Sequence, residues 1–136
     1  MTEKTFKLEI VTPRKVLFSG DVVSFSAPGV MGGFQVLYNH APMLAAIGIG
    51  EVKLCDPHGD EIRYATSGGF VDVKNNHVVM LAETAERREE IDKTRAETAR
   101  DRALKEIAQK QSEHDLERAR VELERAVNRI RIAEKG

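Results

Sequence analysis

The chain has 136 residues, a length that fits one ordinary domain or a small domain with an appendage. It carries 21 lysine and arginine residues against 22 aspartate and glutamate residues. This near-zero charge provides no global field that would select nucleic acid or an anionic membrane. A single cysteine, Cys55, excludes an intrachain disulfide, and no apolar stretch approaches the roughly 20 residues that span a bilayer. We expect a soluble protein of a reducing compartment.

The two halves of the sequence differ in composition. All four prolines and all but the last glycine lie at or before Gly69, and every aromatic residue lies at or before Phe70. From Glu83 onward alanine, glutamate, arginine and lysine dominate, which favours helix, whereas proline and glycine punctuate short strands. We therefore expect an α+β protein with an N-terminal antiparallel β-sandwich over residues 1–86 and a C-terminal antiparallel two-helix hairpin over residues 87–136.

Alternating apolar residues and turn signals predict the strands of the first half. The expected strands are Phe6–Ile10, Val16–Phe18, Val22–Ala27, Val52–Leu54, Ile62–Thr66, Val71–Val73 and Val78–Leu81. Asp56–Gly59 and Asn75–Asn76 carry residues that favour tight turns, and Ser67–Gly69 is expected to bend the backbone between strands.

Two amphipathic helices are expected in the second half, on either side of a break at Lys110–Asp115 in which Ser112 and Asp115 resemble a capping box. Their apolar positions recur every three or four residues. They are Ala96, Ala99, Ala103 and Ile107 in the first helix and Leu116, Ala119, Leu123, Ala126, Val127 and Ile130 in the second. Because these stripes are rich in alanine, each contact removes little area from water, and we expect a marginally stable hairpin.

Motifs of catalysis and metal binding are missing from the sequence. Gly29–Gly33 lacks the lysine and hydroxyl residue of a phosphate-binding P-loop, and the four histidines show no metal-ligand spacing. Ser67–Gly69 lacks the glycine pattern of a hydrolase nucleophile elbow. We therefore expect no catalytic residue, no metal site and no required cofactor.

The arginines of the second half form a pattern of their own. In an antiparallel hairpin four of them lie level in two pairs, Arg95 with Arg129 and Arg102 with Arg125. Facing like charges are unfavourable unless acids or a bound anion intervene, and guanidinium groups suit phosphate oxygens. The alternative interpretation is a solvated face on which Glu97 and Glu122 offset the arginines.

Several short motifs, taken in order, resemble the epsilon subunits of bacterial F-type ATP synthases. They are Thr12–Pro13, Gly33–Leu37, His40–Pro42, Ser67–Val71 and Glu83–Glu86 in the sandwich and Arg125–Ile130 in the closing helix. Together they cover nearly the whole chain. Tyr38–Asn39 departs from the Pro-Gly that many members of this family carry before His40.

The resemblance implies a non-catalytic rotor subunit of a proton- or sodium-translocating enzyme. In this family the sandwich binds the gamma subunit and sits on the c-ring, while the hairpin either folds against the sandwich or extends toward the alpha and beta subunits and inhibits ATP hydrolysis. The implied location is the cytoplasmic face of the bacterial inner membrane, with membrane contact only through the c-ring. The candidates for inhibitory contact with beta are Arg118, Arg120, Arg125 and Arg129.

Some bacterial members bind ATP through an Ile/Leu-Asp-x-x-Arg-Ala motif, which Ile91–Ala96 matches in full. By this resemblance the ATP site consists of Glu86, Ile91, Asp92, Arg95, Ala96, Arg102, Arg125 and Arg129. The four arginines would hold the phosphates, and Asp92 and Glu86 would contact the adenosine end or orient the arginines. ATP is thus the expected regulatory ligand, and it would favour the folded, non-inhibitory hairpin.

Functions of other classes fit the sequence less well. A free-standing nucleotide-sensing adaptor would use the same hairpin for a different partner and would not copurify with alpha, beta and gamma. A small hydrolase acting through Asp92 or Glu86 has no accompanying nucleophile or metal-ligand set. Nucleic-acid binding is not expected, because acidic and basic residues are equal in number from Glu83 onward and no aromatic residue is available there for stacking.

Overall fold

The computed structural model describes residues 4–109 and 112–135 of the chain. The chain divides into two compact units, Met1–Arg87 and Arg88–Gly136. Strands build the first unit and helices build the second. Lys110 and Gln111, which belong to the break predicted between the helices, lie outside the described residues.

The first unit is a sandwich of two five-stranded sheets. Its strands are β1 (Phe6–Val11), β2 (Val16–Val22), β3 (Ser24–Ala27), β4 (Phe34–Val36), β5 (Met43–Ile47), β6 (Gly50–Cys55), β7 (Glu61–Thr66), β8 (Gly69–Lys74), β9 (His77–Ala82) and β10 (Ala85–Arg87). The first sheet has the order β2-β1-β9-β8-β5 and the second has the order β10-β7-β6-β3-β4. Neighbouring strands are antiparallel except β1 and β9, which pair in parallel. The predicted antiparallel β-sandwich is thus confirmed, with one parallel pair inside it.

The core lies between the two sheets and consists of every second residue of the strands. In β1, Phe6, Leu8 and Ile10 are buried while Lys7 is exposed, because successive side chains of a strand point to opposite faces. Both sheets contribute the largest fully buried side chains. In the sandwich these are Phe25, Leu8, Ile10, Leu54, Met80, Val22, Val36, Val52, Val71, Val73 and Val78.

The predicted turns occur where the sequence places them. The carboxylate of Asp56 accepts hydrogen bonds from the backbone N–H groups of His58 and Asp60, at 2.8 and 3.0 Å. Asn75 and Asn76 both have positive φ, at 52° and 57°, a conformation that asparagine tolerates better than most residues. At Gly69, where φ is 147°, a Cβ atom would lie 2.0 Å from the carbonyl oxygen of Leu81, so only glycine fits this bend.

The structure corrects one strand boundary and adds three strands that were not predicted. The expected break between Val16–Phe18 and Val22–Ala27 was placed too early, because β2 continues through to Val22 and pairs along its length with β1. The short strands β4, β5 and β10 were not predicted. They contain three to five residues each, which is too few to establish a clear alternation.

The second unit begins with a 3-10 helix, Arg88–Glu90, followed by α1 (Lys93–Ala108) and α2 (Glu113–Glu134). Asp92 caps α1, since its carboxylate accepts the backbone N–H of Arg95 at 3.0 Å. Ser112 caps α2 in the same way, accepting the backbone N–H of Asp115 at 3.2 Å. The N-cap predicted at Ser112 is therefore confirmed.

The two helices form the predicted antiparallel hairpin. The Nζ atom of Lys93 lies 3.3 Å from a carboxylate oxygen of Glu134, which joins the start of α1 to the end of α2. The guanidinium of Arg88 donates a hydrogen bond to the carbonyl oxygen of Lys135 at the same end. Among the described helices, none is both long enough and apolar enough to cross a membrane.

Small residues dominate the packing of the hairpin. Ala96 and Ala103 of α1 and Ala119 and Ala126 of α2 are buried, as the apolar stripes predicted. The inclusion of Val127 in the buried stripe was wrong, because this side chain is 43% exposed. Two further residues of α2, Asn128 and Ile132, are buried, and at 100° per residue both lie on the opposite side of α2 from Ala119.

Candidate functional site

The motif Ile91–Ala96 lies at the start of α1, where two of its residues have structural roles. Asp92 is the N-cap, and its backbone carbonyl also accepts the N–H of Ala96 at 3.0 Å. Ala96 is completely buried, while Ile91 is half-buried and Arg95 is exposed. The motif therefore fixes where the helix begins and leaves the Arg95 guanidinium at the surface of the hairpin.

Arginine precedes a buried alanine four times in the two helices. The pairs are Arg95–Ala96 and Arg102–Ala103 in α1 and Arg118–Ala119 and Arg125–Ala126 in α2. Each arginine is displaced by about 100° from the alanine that follows it, always in the same rotational sense. Arg129 lies about 60° from Ala126 in that same sense. The arginines thus border the buried stripe on one side of each helix.

The antiparallel arrangement brings these two borders to the same edge of the hairpin. Consider two antiparallel helices, each viewed from its own N-terminus. Residues that are rotated away from the buried interface by the same angle and in the same sense lie on the same side of the pair. Lys93 and Glu134 are displaced in the opposite sense, by about 60° and 80° from their buried alanines, and they contact each other. We call the side away from this ion pair the arginine edge; its members are Arg95, Arg102, Arg125 and Arg129.

Three of the four arginines of the arginine edge have no acidic partner among the described residues. Within residues 4–109 and 112–135, no carboxylate forms an ion pair with Arg95, Arg102 or Arg125. Nor do Glu97 and Glu122, which the sequence offered as compensating acids, form ion pairs in this part of the chain. Like charges that share one edge repel each other, and guanidinium groups so placed favour a bound polyanion.

The remaining residues expected at the ATP site and at the inhibitory contact lie in different places. Glu86 belongs to β10 of the sandwich unit, where it pairs with Ala65 of β7. Arg118 lies on the same side of α2 as the arginine edge and forms an ion pair with Asp115 at 3.8 Å. Arg120 follows Ala119 rather than preceding it, so it lies about 100° toward the opposite edge. One face of α2 therefore cannot present all four arginines that were expected to contact beta.

The outer face of the first sheet carries a group of exposed apolar side chains. On the first sheet Leu44, Phe70 and Leu81 are exposed by 74%, 55% and 55%, and Phe70 is the direct cross-strand partner of Leu81. We call these three residues the apolar face. Both sheets also carry ion pairs on their outer faces, His77 with Glu9 at 2.9 Å on the first sheet and Arg63 with Glu51 and Glu61, at 2.7 and 3.2 Å, on the second.

The apolar face was not predicted from the sequence, although a signal was present. Phe70 is next to the buried Val71 in β8, and Leu81 is next to the buried Met80 in β9, so both point away from the core. Each of these strands therefore carries apolar residues on both of its faces. A strand that is apolar on both sides indicates either a covered sheet or an exposed patch, and exposed apolar patches mark interaction sites.

Comparison with known proteins agrees with this architecture in both units. The family model for the beta-sandwich domain of the ATP synthase Delta/Epsilon chain matches residues 5–88, and the model for its long alpha-helix domain matches residues 89–134. The ATP synthase epsilon chain of Syntrophomonas wolfei is 42% identical over 135 residues, which covers 99% of this chain and 98% of the relative. That of Desulforamulus reducens is 44% identical over 131 residues, covering 96% and 98%.

Solved structures show the same fold at lower identity. A chain in the mitochondrial ATP synthase of Euglena gracilis, in an assembly of OSCP, F1 and c-ring, superposes with a TM-score of 0.81 at 21% identity and covers 89% of this chain and 76% of its own length. With two family models spanning nearly all residues and epsilon chains matched end to end, this chain belongs to the epsilon chain family of the F-type ATP synthase.

Proposed function

We propose that this chain is a non-catalytic rotor subunit in the central stalk of a proton- or sodium-translocating ATP synthase. It connects the gamma subunit to the c-ring and lies peripherally at the cytoplasmic face of the bacterial inner membrane. Its helical unit inhibits ATP hydrolysis when released and is held in the folded state by ATP. The observation that carries the regulatory part is the arginine edge, on which Arg95 and Arg102 of α1 lie on the same side of the hairpin as Arg125 and Arg129 of α2.

The sandwich is the docking unit in this proposal, and its apolar face is the surface that gamma covers. Large side chains exposed by half or more are costly to leave in water. Fully burying a wholly exposed one contributes about 1.5–3 kcal/mol, so covering a half-exposed one contributes roughly half of that. Leu44 and the Phe70–Leu81 pair supply three of them on neighbouring strands. A solved relative of similar fold, from Tetrahymena thermophila, belongs to an assembly described as central stalk and c-ring.

The hairpin is the ATP-binding unit. Arg95 and Arg102 of α1 and Arg125 and Arg129 of α2 would hold the phosphates, because the planar guanidinium fork matches phosphate oxygens in a bidentate manner. Ile91 would contact the base, and Ala96 allows the helices to approach closely beneath the arginines. Asp92 would act through its cap, by fixing the first turn that carries Arg95.

Only a small free energy is needed to control the hairpin. The interface between the helices is made of alanine, whose burial removes little apolar area from water. A ligand present at ten times its dissociation constant, and bound only by the folded form, stabilises that form by ~1.4 kcal/mol. This shifts a two-state equilibrium by about tenfold. High ATP would therefore keep the helices folded, and low ATP would release them.

The released helices would inhibit through contacts with alpha and beta. In the folded hairpin Arg118, Arg125 and Arg129 share one side of α2 with the ATP site. ATP binding and inhibitory contact with beta would therefore compete for the same arginines. Arg120, on the other side of α2, would contribute to inhibition without contributing to ATP binding.

Calorimetric titration of ATP into the full chain tests the ATP site. We expect saturable binding that is weakened about tenfold or more by Arg95→Ala, because a charged hydrogen-bonding group is lost. Arg100→Ala is the matched control: Arg100 lies on the same helix, off the arginine edge and paired with Asp101 at 3.1 Å. Equal affinity in both variants would reject the arginine edge as the site. Copurification with alpha, beta and gamma tests the rotor assignment separately.

A further inference from the structure

Asn76 joins three separate segments of the sandwich at one point. Its side-chain oxygen accepts the backbone N–H of Asn39 at 2.7 Å, and its side-chain nitrogen donates to the side-chain oxygen of Asn39 at 3.0 Å. Its backbone carbonyl accepts the N–H of Lys7 at 3.0 Å. We call the two bonds between Asn39 and Asn76 the amide latch. It connects the turn between β8 and β9 to the loop between β4 and β5.

The amide latch lies just beyond the end of a strand pair. β5 and β8 pair from Ile47 opposite Gly69 as far as Met43 opposite Val73. The loop that holds Asn39 leads into Met43, and the turn that holds Asn76 follows β8 directly. The two bonds of the amide latch therefore attach the β4–β5 loop to the first sheet beyond Met43 and Val73, where the pairing of β5 with β8 ends. This matters because β5 is an edge strand, so at its first residues it is held only from the β8 side.

The loop before β5 carries exposed apolar side chains and leads to the apolar face. Leu37 is 51% exposed, and Tyr38 is 39% exposed with the Lys4 ammonium 5.7 Å from its ring centre. Leu44, the most exposed of the three residues of the apolar face, is the second residue of β5. Asn39 has a φ of 63°, so the loop adopts a backbone conformation that few residues tolerate and that the latch stabilises.

We propose that Asn76 and Asn39 are positioning residues for docking on the gamma subunit. They hold the β4–β5 loop and the start of β5 in the conformation that gamma binds, so that binding does not have to order this segment. The inference rests on the proposed docking of the apolar face. Ordering a mobile segment at the moment of association lowers affinity, and a contact that orders it beforehand avoids this loss.

The test uses the full chain and the ATP synthase complex assembled without it, containing alpha, beta and gamma. Asn76→Gly removes both latch bonds and keeps a residue that tolerates positive φ. Asn75→Gly is the control, because Asn75 lies in the same turn with the same backbone conformation and takes no part in the latch. Asn76→Asp keeps the acceptor for the Asn39 N–H and loses only the donated bond.

We expect Asn76→Gly to weaken binding to the complex about tenfold, Asn76→Asp to be intermediate, and Asn75→Gly to stay within about twofold of the unaltered chain. Hydrogen exchange of the Asn39 amide should accelerate in Asn76→Gly alone. If Asn76→Gly lowers the thermal midpoint but binds as tightly as Asn75→Gly, the latch is only structural and the proposal is overturned.

A fourth variant separates this outcome from failure of the proposed docking. Phe70→Asp places a charge in the centre of the apolar face. If Phe70→Asp abolishes binding while Asn76→Gly matches Asn75→Gly, the docking face stands and the positioning role fails. If Phe70→Asp binds normally, both the docking face and the positioning role are overturned.

Discussion

The Lys93 ammonium and the Glu134 carboxylate, 3.3 Å apart, join the first residue of α1 to the last residue of α2. This contact fixes the register of the hairpin and, with the bond from Arg88 to the Lys135 carbonyl, closes its open end. Both side chains of the ion pair are about half exposed, and such pairs contribute little individually. A weak closure is what a hairpin requires if a bound ligand is to hold it closed and loss of that ligand is to open it.

Removing this ion pair should favour the open hairpin by a small, salt-dependent amount. We expect Lys93→Ala and Glu134→Ala each to destabilise the closed form by about 0.2–1 kcal/mol at low salt, with little further loss in the double variant. Energy transfer between dyes on the two helices measures the closed fraction. The effect should fade at about 1 M salt, where the Debye length falls to about 3 Å.

The control for that experiment is the pair Arg100 and Asp101, which are neighbours within α1 and do not connect the helices. Substituting them should leave the closed fraction unchanged. A closed fraction that depends equally on both pairs would show that helix propensity, rather than the link between the helices, controls opening.

The two roles available to Asp92, helix cap and ligand of ATP, can be separated by substitution. Asp92→Asn retains a side-chain oxygen for the Arg95 N–H and removes the charge, whereas Asp92→Ala removes the cap, at a cost of about 1 kcal/mol. We expect Asp92→Asn to bind ATP nearly as well as the unaltered chain and Asp92→Ala to bind it several-fold more weakly. If Asp92→Asn is as impaired as Asp92→Ala, the charge itself takes part in the site.

Enlarging a buried alanine should open the hairpin and weaken ATP binding together. Ala103 is fully buried between the helices, and Ala103→Leu should destabilise the closed form by about 1–3 kcal/mol through overpacking. Ala108→Leu places the same side chain at an exposed position of the same helix and is expected to have little effect. Isothermal titration of both variants with ATP checks this. Full affinity in Ala103→Leu would contradict the requirement for close helix packing.

The sequence predicted the parts of this structure that depend on local patterns. Alternation at Phe6, Leu8 and Ile10 identified β1, and Ser112 was recognised as a helix cap. The antiparallel hairpin followed from two amphipathic stripes and a short break. The position of the arginines beside the alanine stripes was also predictable, because it depends only on helical periodicity. Their pairing at one level stays a prediction.

Features that depend on the arrangement of distant residues were not predictable in this way. Asn39 and Asn76 are 37 positions apart, and nothing local in either indicates that their side chains meet. The exposure of Phe70 and Leu81 was not predictable either, since the sequence does not show which face of a strand remains uncovered. Val127 was assigned to the buried stripe because it is apolar, although its position on the helix, about 80° from Ala119, takes it to the border of the interface.

The most direct test of the central claim is the ATPase activity of the assembled enzyme with the hairpin held closed. Lys93→Cys and Glu134→Cys, in a chain with Cys55→Ser, can be joined by a short bismaleimide linker because their parent side chains are in contact. We predict that the linked enzyme hydrolyses ATP faster than the unlinked double variant at low ATP, and that the two rates converge at high ATP. Equal rates at low ATP would contradict the proposal that release of the helices inhibits hydrolysis.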